Sequence, residues 1–289
     1  MLEEIIYNHL CSRQELTELL TKYSNTAAIF NQFAPPDTDE GWGAEQYPRL
    51  VFSLNANADV ERRIAGTLQL DVYVKNGTLS PENIAAVVKP SVDGYFFSDE
   101  NNTYSMQWEA TQYTAEADEP VTVISVLFSF LEYPSQLTTE EGGRDPIGVL
   151  NAFTKELYPN ARIIAHDEIT GAWMPSNTSP AIYWRHGERK TDEKMSGWAA
   201  DFYEVTLYGH VIAPDMVVQN TIARTIIYEL NQRRALEFPD GSWMRVDWDT
   251  KYRINADIRR DGQLEIKATY CEERRVPDSE LLTKIYKED

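Results

Sequence analysis

The chain has 289 residues, 42% hydrophobic and 11% aromatic, a content and length that describe folded protein with room for two cores rather than a disordered tail. Its formal net charge of −19 argues against a surface built to grip nucleic acid, because affinity for the phosphate backbone comes from Lys and Arg displacing counterions. Only Cys11 and Cys271 are present, too few for a disulfide framework and without the spacing of a zinc site, so reduced, intracellular thiols are expected. No run approaches the roughly 20 apolar residues of a membrane span, and the opening MLEEIIYNHL carries acid where a signal peptide carries base, so a soluble, unprocessed chain without membrane contact is expected.

In chain order, LEEIIYNHL (residues 2–10) has the period of a short amphipathic helix. A loop containing GWGAEQ leads to PRLVFSL, a strand opened by Pro48, and then to the charged insert NANADVERRI (residues 55–64), which reads as a hairpin tip. The return strand TLQLDVYV puts Leu68, Leu70, Val72 and Val74 on one face. SPENIAAVVK places Pro81 in the first turn of a helix expected to end before Pro90 or kink there, since proline donates no backbone hydrogen bond. Two aromatic strands, YSMQWEATQYTA and VTVISVLFSFLEYP, close the first half.

The same order then repeats. DPIGVLNAFTKEL is a helix with Asp145 as cap and Pro146 in its first position. GAWMPSN precedes PAIYWRH, a strand opened by Pro180, and the insert GERKTDEKMSGWA (residues 187–199) reads as a second hairpin tip. EVTLYGHV aligns Val205, Leu207 and Val211 on one face, with Gly209 between them. APDMVVQNTIARTIIYEL starts a helix with Pro214 in its first turn and a stripe at Val218, Ile222, Ile226 and Leu230. SWMRVDWDTKYRINADI and QLEIKATYCEERR are the closing strands; in the latter Leu264, Ile266, Ala268 and Tyr270 alternate with polar residues, as Phe128 and Phe130 do in the first half. The expectation is an α+β protein of two tandem copies of a small, mainly antiparallel domain packed by helices. The first copy spans residues 1–135, a linker 136–144, and the second copy 145–289, including a C-terminal extension.

The proline-led strand, charged hairpin, LDVYV-type strand, helix and VLFSFLEY-type strand resemble the tail terminator, or tail-completion, family of tailed phages and related contractile particles. That resemblance covers both halves, from about Leu2 to Pro134 and from about Asp145 to Arg275. It implies a non-enzymatic virion protein of the tail or neck, assembled in the host cytoplasm. Such a protein forms a ring on the head-proximal end of the tail tube, stops tube growth and presents a surface to the head connector or stopper. With two domains per chain, either a trimer forms a pseudo-sixfold ring, or six chains form a ring with the second domain as an outer or stacked layer near a sheath or collar. DNA would only pass through the lumen. Another neck component, a head-completion or collar protein, is the alternative, followed by a duplicated hydrolase or ligand-binding module.

Neighbour contacts are expected at the two charged tips: Asp59, Glu61, Arg62 and Arg63, and Arg185, Glu188, Arg189, Lys190, Asp192, Glu193 and Lys194. No catalytic, cofactor or metal residue is expected. The four histidines, His9, His166, His186 and His210, form no HExxH or HxH pair, and no P-loop, GxSxG or GxGxxG occurs. His166-Asp167-Glu168 sets a histidine beside two acids, but neighbours along a strand point to opposite faces. Asp247 and Asp249 would share a strand face, as acids on solvated sheets commonly do. Trp42, Trp108, Trp173, Trp184 and Trp243 are assigned to packing or subunit contacts.

Overall fold

The computed structural model describes residues 2–115, 120–137 and 144–274. It is mixed α+β, mostly sheet, with two curled sheets. In the first unit, α1 (Leu2–Ser12) buries Leu2, Ile6 and Leu10 at intervals of four, and α2 (Gln14–Leu19) adds Leu16. A small hairpin, β1 (Lys22–Tyr23) and β2 (Thr26–Ala27), leads to β3 (Ile29–Asn31), which lies parallel to the start of β4 (Arg49–Asp59). Then come β5 (Arg63–Lys75), α3 (Pro81–Val92), β6 (Phe96–Ser98), β7 (Thr103–Ala115) and β8 (Val121–Glu132).

Leu68, Leu70, Val72 and Val74 of β5 are all buried, as the alternation predicts. Together with Phe52, Val126, Phe128 and Phe130 they form one side of a core whose other side is α1, α2 and α3. Each fully buried side chain of this size contributes about 1.5–3 kcal/mol. The Ser80 hydroxyl accepts from the Asn83 amide and Pro81 fills the first position, so α3 starts where expected. It does not end before Pro90: the helix runs on to Val92. Only the last turn meets the missing donor, and Val88, Ser91 and Val92 are buried there, which holds the turn in place.

In the second unit α4 (Pro146–Leu157) is capped by the Asp145 carboxylate, which accepts from the Ile147 amide. The chain continues through β9 (Arg162–Ile163) and β10 (Gly171–Trp173) to β11 (Ala181–Thr191), β12 (Ala200–Ile212), α5 (Met216–Arg233), β13 (Ala235–Glu237), β14 (Trp243–Val246), β15 (Lys251–Tyr252) and β16 (Leu264–Glu273). Asp215 is the N-cap of α5, so Pro214 precedes the helix instead of lying in its first turn. Ile222, Ile226 and Leu230 are buried as the stripe requires, and Val218 is half-buried. The expected single strand from Trp243 onward is two short strands, β14 and β15, separated by a turn that leaves Trp248 exposed. Gly209 is required for packing: a Cβ there would sit 2.4 Å from the Trp184 ring.

In the first sheet the strands run β10-β6-β7-β8-β5-β4-β3. In the second, the consecutive order is β13-β14-β16-β12-β11, with β15 also on β16. The compact units are Met1–Ser135 with Arg162–Ser179, and Gln136–Ala161 with Pro180–Asp289. The segment 162–179, expected in the second copy, therefore belongs to the first unit. Its β10 pairs antiparallel with β6, Trp173 stacks on Phe96 at 4.6 Å, and the Trp173 indole donates to the Ser98 hydroxyl. Of the expected linker, 138–143 lie outside the described residues, as does 275–289 of the C-terminal extension.

Candidate functional site

The first charged insert is not a ten-residue turn. β4 and β5 pair without interruption from Arg49↔Tyr73 to Asp59↔Arg63, leaving Val60, Glu61 and Arg62 as the tip. Asp59 Oδ1 accepts from the amides of Glu61 and Arg62 and closes the turn. Arg62 is wholly buried, with its guanidinium 5.0 Å from the Tyr133 ring centroid, and Arg63 donates to the buried Glu132 carboxylate and to Asn102. Arg62 is therefore corrected from a neighbour contact to part of the interior, and Arg63 fastens the tip to the end of β8. Val60 is the fully exposed residue of this tip.

In the second insert, residues 187–191 are strand and 192–199 form the loop. Arg185 is buried: its Nε donates to His210 Nε2, its Nη2 to the Asp261 carbonyl, and its guanidinium lies 4.5 Å from the Tyr208 ring. It too is removed from the exposed contact set. Glu188, Arg189, Lys190, Glu193 and Lys194 are exposed, as expected of a tip, while Asp192 accepts from the Lys194 and Met195 amides. Arg189 pairs with Glu272 at 2.9 Å and Lys190 with Glu204 at 2.8 Å. The loop also exposes Met195 and Trp198, the latter 85% accessible, which the charge pattern gave no reason to single out.

The outer faces of the two sheets differ in chemistry. Across the first, register sets Ser53, Gln69, Leu127 and Ala110 in one row, Val51, Asp71, Ser125 and Gln112 in the next, and Arg49, Tyr73, Val123 and Thr114 in a third. In these three rows the ionic residues are Asp71 and Arg49; Asp71 accepts from Gln69 and Ser125, and Arg49 pairs with Asp37. Across the second, Lys190 meets Glu204, Lys251 meets Glu265 at 2.9 Å, and Lys267 meets Asp249 at 2.8 Å.

The edges differ as well. β3 covers β4 only over residues 50–52, and beyond it β4 pairs only with β5 among the described residues. Since the even-numbered residues of β4 face β3, strand alternation turns the backbone groups of Leu54, Ala56 and Ala58 outward. On the opposite side β6 covers β7 only over residues 103–105, and the outer edge is engaged as far as Trp108, whose amide donates to Asp93. A bulge between Trp108 and Ala110 shifts the alternation, so that Thr111, Tyr113 and Ala115 face outward. In the second sheet β11 carries a bulge and charged side chains, and Arg144 donates to the Cys271 carbonyl on β16.

The remaining candidates are structural in their surroundings. A cavity of about 450 Å³ in the first unit is lined by Asp99, Glu100, His166, Asp167 and Glu168 among others. Its two aspartates already serve the backbone: Asp99 accepts from the amides of Asn101 and Asn102, and Asp167 from that of Ile163. No group of three His, Cys, Asp or Glu arranged for a metal occurs among the described residues. Asp247 and Asp249 are split by environment: burial pushes the Asp247 carboxyl up, whereas a hydrogen bond from Lys267 holds Asp249 below the usual carboxylate range. Asp249 lies beyond the end of β14, so the shared strand face does not form. Trp42, Trp173 and Trp184 are buried and Trp108 half-buried under Lys89; Trp243, 57% exposed, is the one of the five that faces solvent.

No protein-family model matches the chain, and a search of curated proteins finds no match.

Proposed function

We propose that the chain is a non-enzymatic structural protein built from a duplicated α+β domain, and that it forms a ring at the neck end of a phage-like tail. The duplication is supported by topology. Helix, hairpin, helix, short strand and closing strands follow in both units, and the order β6-β7-β8-β5-β4 corresponds strand for strand to β13-β14-β16-β12-β11.

Assembly is carried by one observation above the rest: among the described residues, the first sheet leaves one stretch of β4 and one of β7 uncovered by a neighbouring strand and without charged side chains, an arrangement that a monomer ordinarily avoids. A ring satisfies those edges in every copy. One face of the ring would match the tail tube and the other the connector or stopper, with a sheath or collar outside, and termination follows because only one face continues the tube. A head-completion or collar protein with the same two-unit construction is the neighbouring reading. The acidic cavity is the feature a ligand-binding or hydrolase reading would have to use.

Light scattering on the purified protein over a range of concentrations, with negative-stain imaging of the same samples, tests the ring. Annular particles of three or six chains are expected. A compact monomer at every concentration, unchanged when tube protein is added, would overturn the proposal.

A further inference from the structure

Resting on the ring reading, we infer that the first unit alone makes the ring, by antiparallel pairing of the open β4 edge of one copy with the open β7 edge of the next. The occupant of each edge is thus a second copy of this chain.

Strand direction supports the pairing. β4 is antiparallel to β5, β5 to β8, and β8 to β7, so β4 and β7 run in opposite directions at the two sides of one sheet. Copies placed side by side in the same orientation therefore bring β4 against a neighbour's β7 in the antiparallel sense. This is a heterologous contact, the type that generates rings when its rotation closes.

The open lengths match. Leu54, Ala56 and Ala58 on one edge and Thr111, Tyr113 and Ala115 on the other each offer outward backbone donors and acceptors at every second residue, the spacing of an antiparallel ladder. The free part of β4 lies towards its hairpin tip and that of β7 towards its own C-terminal end. Because the strands are antiparallel, these are opposite corners of the sheet, so neighbours must be staggered along the strand direction.

Charge narrows the partner. A chain of net charge −19 repels its own copies over most of its surface. Residues 53–58, SLNANA, and 110–115, ATQYTA, contain no ionisable group but Tyr113, and neither contains proline or lysine. These are among the places where two copies meet without burying carboxylates; both stretches lack proline, lysine and any register shift, the bulge of β7 lying before its stretch at Trp108–Ala110.

The second unit is closed to the same contact. β11 breaks register between His186 and Arg189 and carries Glu188, Arg189 and Lys190; β13 is three residues long; and the end of β16 has Glu272, Glu273 and the Arg144 side chain on the Cys271 carbonyl. A pseudo-sixfold trimer, which needs both units to pair, is excluded by this reading. Each chain contributes one sheet, and the number of chains equals the number of sheets in the ring.

Proline at an outward position removes one outward N–H without breaking the ladder inside the sheet. Ala56→Pro and Tyr113→Pro, each in the full chain, are expected to reduce the wild-type ring to single chains of 33.2 kDa in light scattering. Their circular dichroism should stay that of the wild type, and Ala56→Lys serves as a second edge variant should Ala56→Pro fail to fold. Mixing Ala56→Pro with Tyr113→Pro should give 1:1 dimers and nothing larger, because each retains the edge the other has lost. Self-dimers of Tyr113→Pro would show β4 pairing with β4 and overturn the inference. Rings that persist in folded Ala56→Lys and Tyr113→Pro would overturn the edge pairing while leaving the ring itself standing. A wild type that never leaves the single-chain state removes the ring and the inference together.

Discussion

Five strands of each sheet follow the same order, and the two sheets are finished in opposite ways. The first has a face of Ser, Gln, Leu, Val and Tyr and open strand edges of Ala, Asn and Thr; the second has a face crossed by three lysine–carboxylate pairs and edges closed by a bulge, short strands and Arg144. A core pattern sets a topology, since both units bury the same alternating strand faces under helices. What the outside of the sheet does is left to residues that the core does not constrain. Two units can therefore share a strand order while the outsides of their sheets differ in chemistry.

The largest expected effects would break the comparison at its cores. Trp173 and Trp184 are each buried and each donate an indole hydrogen bond within their own unit, to Ser98 and Thr154. Trp173→Ala and Trp184→Ala should each cost about 3–5 kcal/mol. Denaturant melts following separate fluorescent reporters should show the loss in the first unit for Trp173 and in the second for Trp184; an equal loss in both from either variant would show that the units do not unfold separately. A smaller effect sharpens the contrast of outer faces. Lys267→Ala, which removes the nearer of the two lysines beside Asp249, should lower stability only slightly, and by less in high salt, because exposed ion pairs are screened. Gln69→Ala, on the face without lysine–carboxylate pairs, removes no ion pair and should show a weaker salt dependence.

The smallest effect is a pH response shared by both units. Burial is the main cause that lowers the pKa of His9 in the first unit and of His186 in the second. Each is held neutral in the fold, so the unfolded chain binds more protons as the pH falls. Their contribution is present above the ordinary histidine pKa of about 6.5 and is lost as pH drops through that value towards the lower folded one. Thermal melting between pH 7.5 and 5.5 should show the decline, and His9→Gln or His186→Gln should each flatten part of it.

Much of the framework could be read from the sequence, because it rests on periodicity. The period-four stripes of α1 and α5 and the alternation in β5 and β16 are local patterns, and burial follows them at every position named above except the half-buried Val218. What could not be read depends on partners far along the chain. Three residues, Gly171–Trp173, have no period to detect, and only Phe96 and Ser98 show that they complete the first sheet. The polar run NANAD looks like a turn until β5 pairs with it. Arg62 and Arg185 look like surface charges until Tyr133 and Tyr208 lie under their guanidinium groups. Pro90 reads as a helix end, yet the buried side chains around it carry α3 one further turn.

The chain passes from one unit to the other three times, at residues 135, 161 and 179, and this orders events during synthesis. The first unit lacks the strand that covers β6 until residue 173 has left the ribosome, by which time α4 of the second unit has already been made. At about 5–20 residues per second the incomplete sheet is exposed for seconds. During that interval Phe96 has no Trp173 to stack on, and two nascent chains on one messenger present each other with unfinished β-sheets before either can close its own.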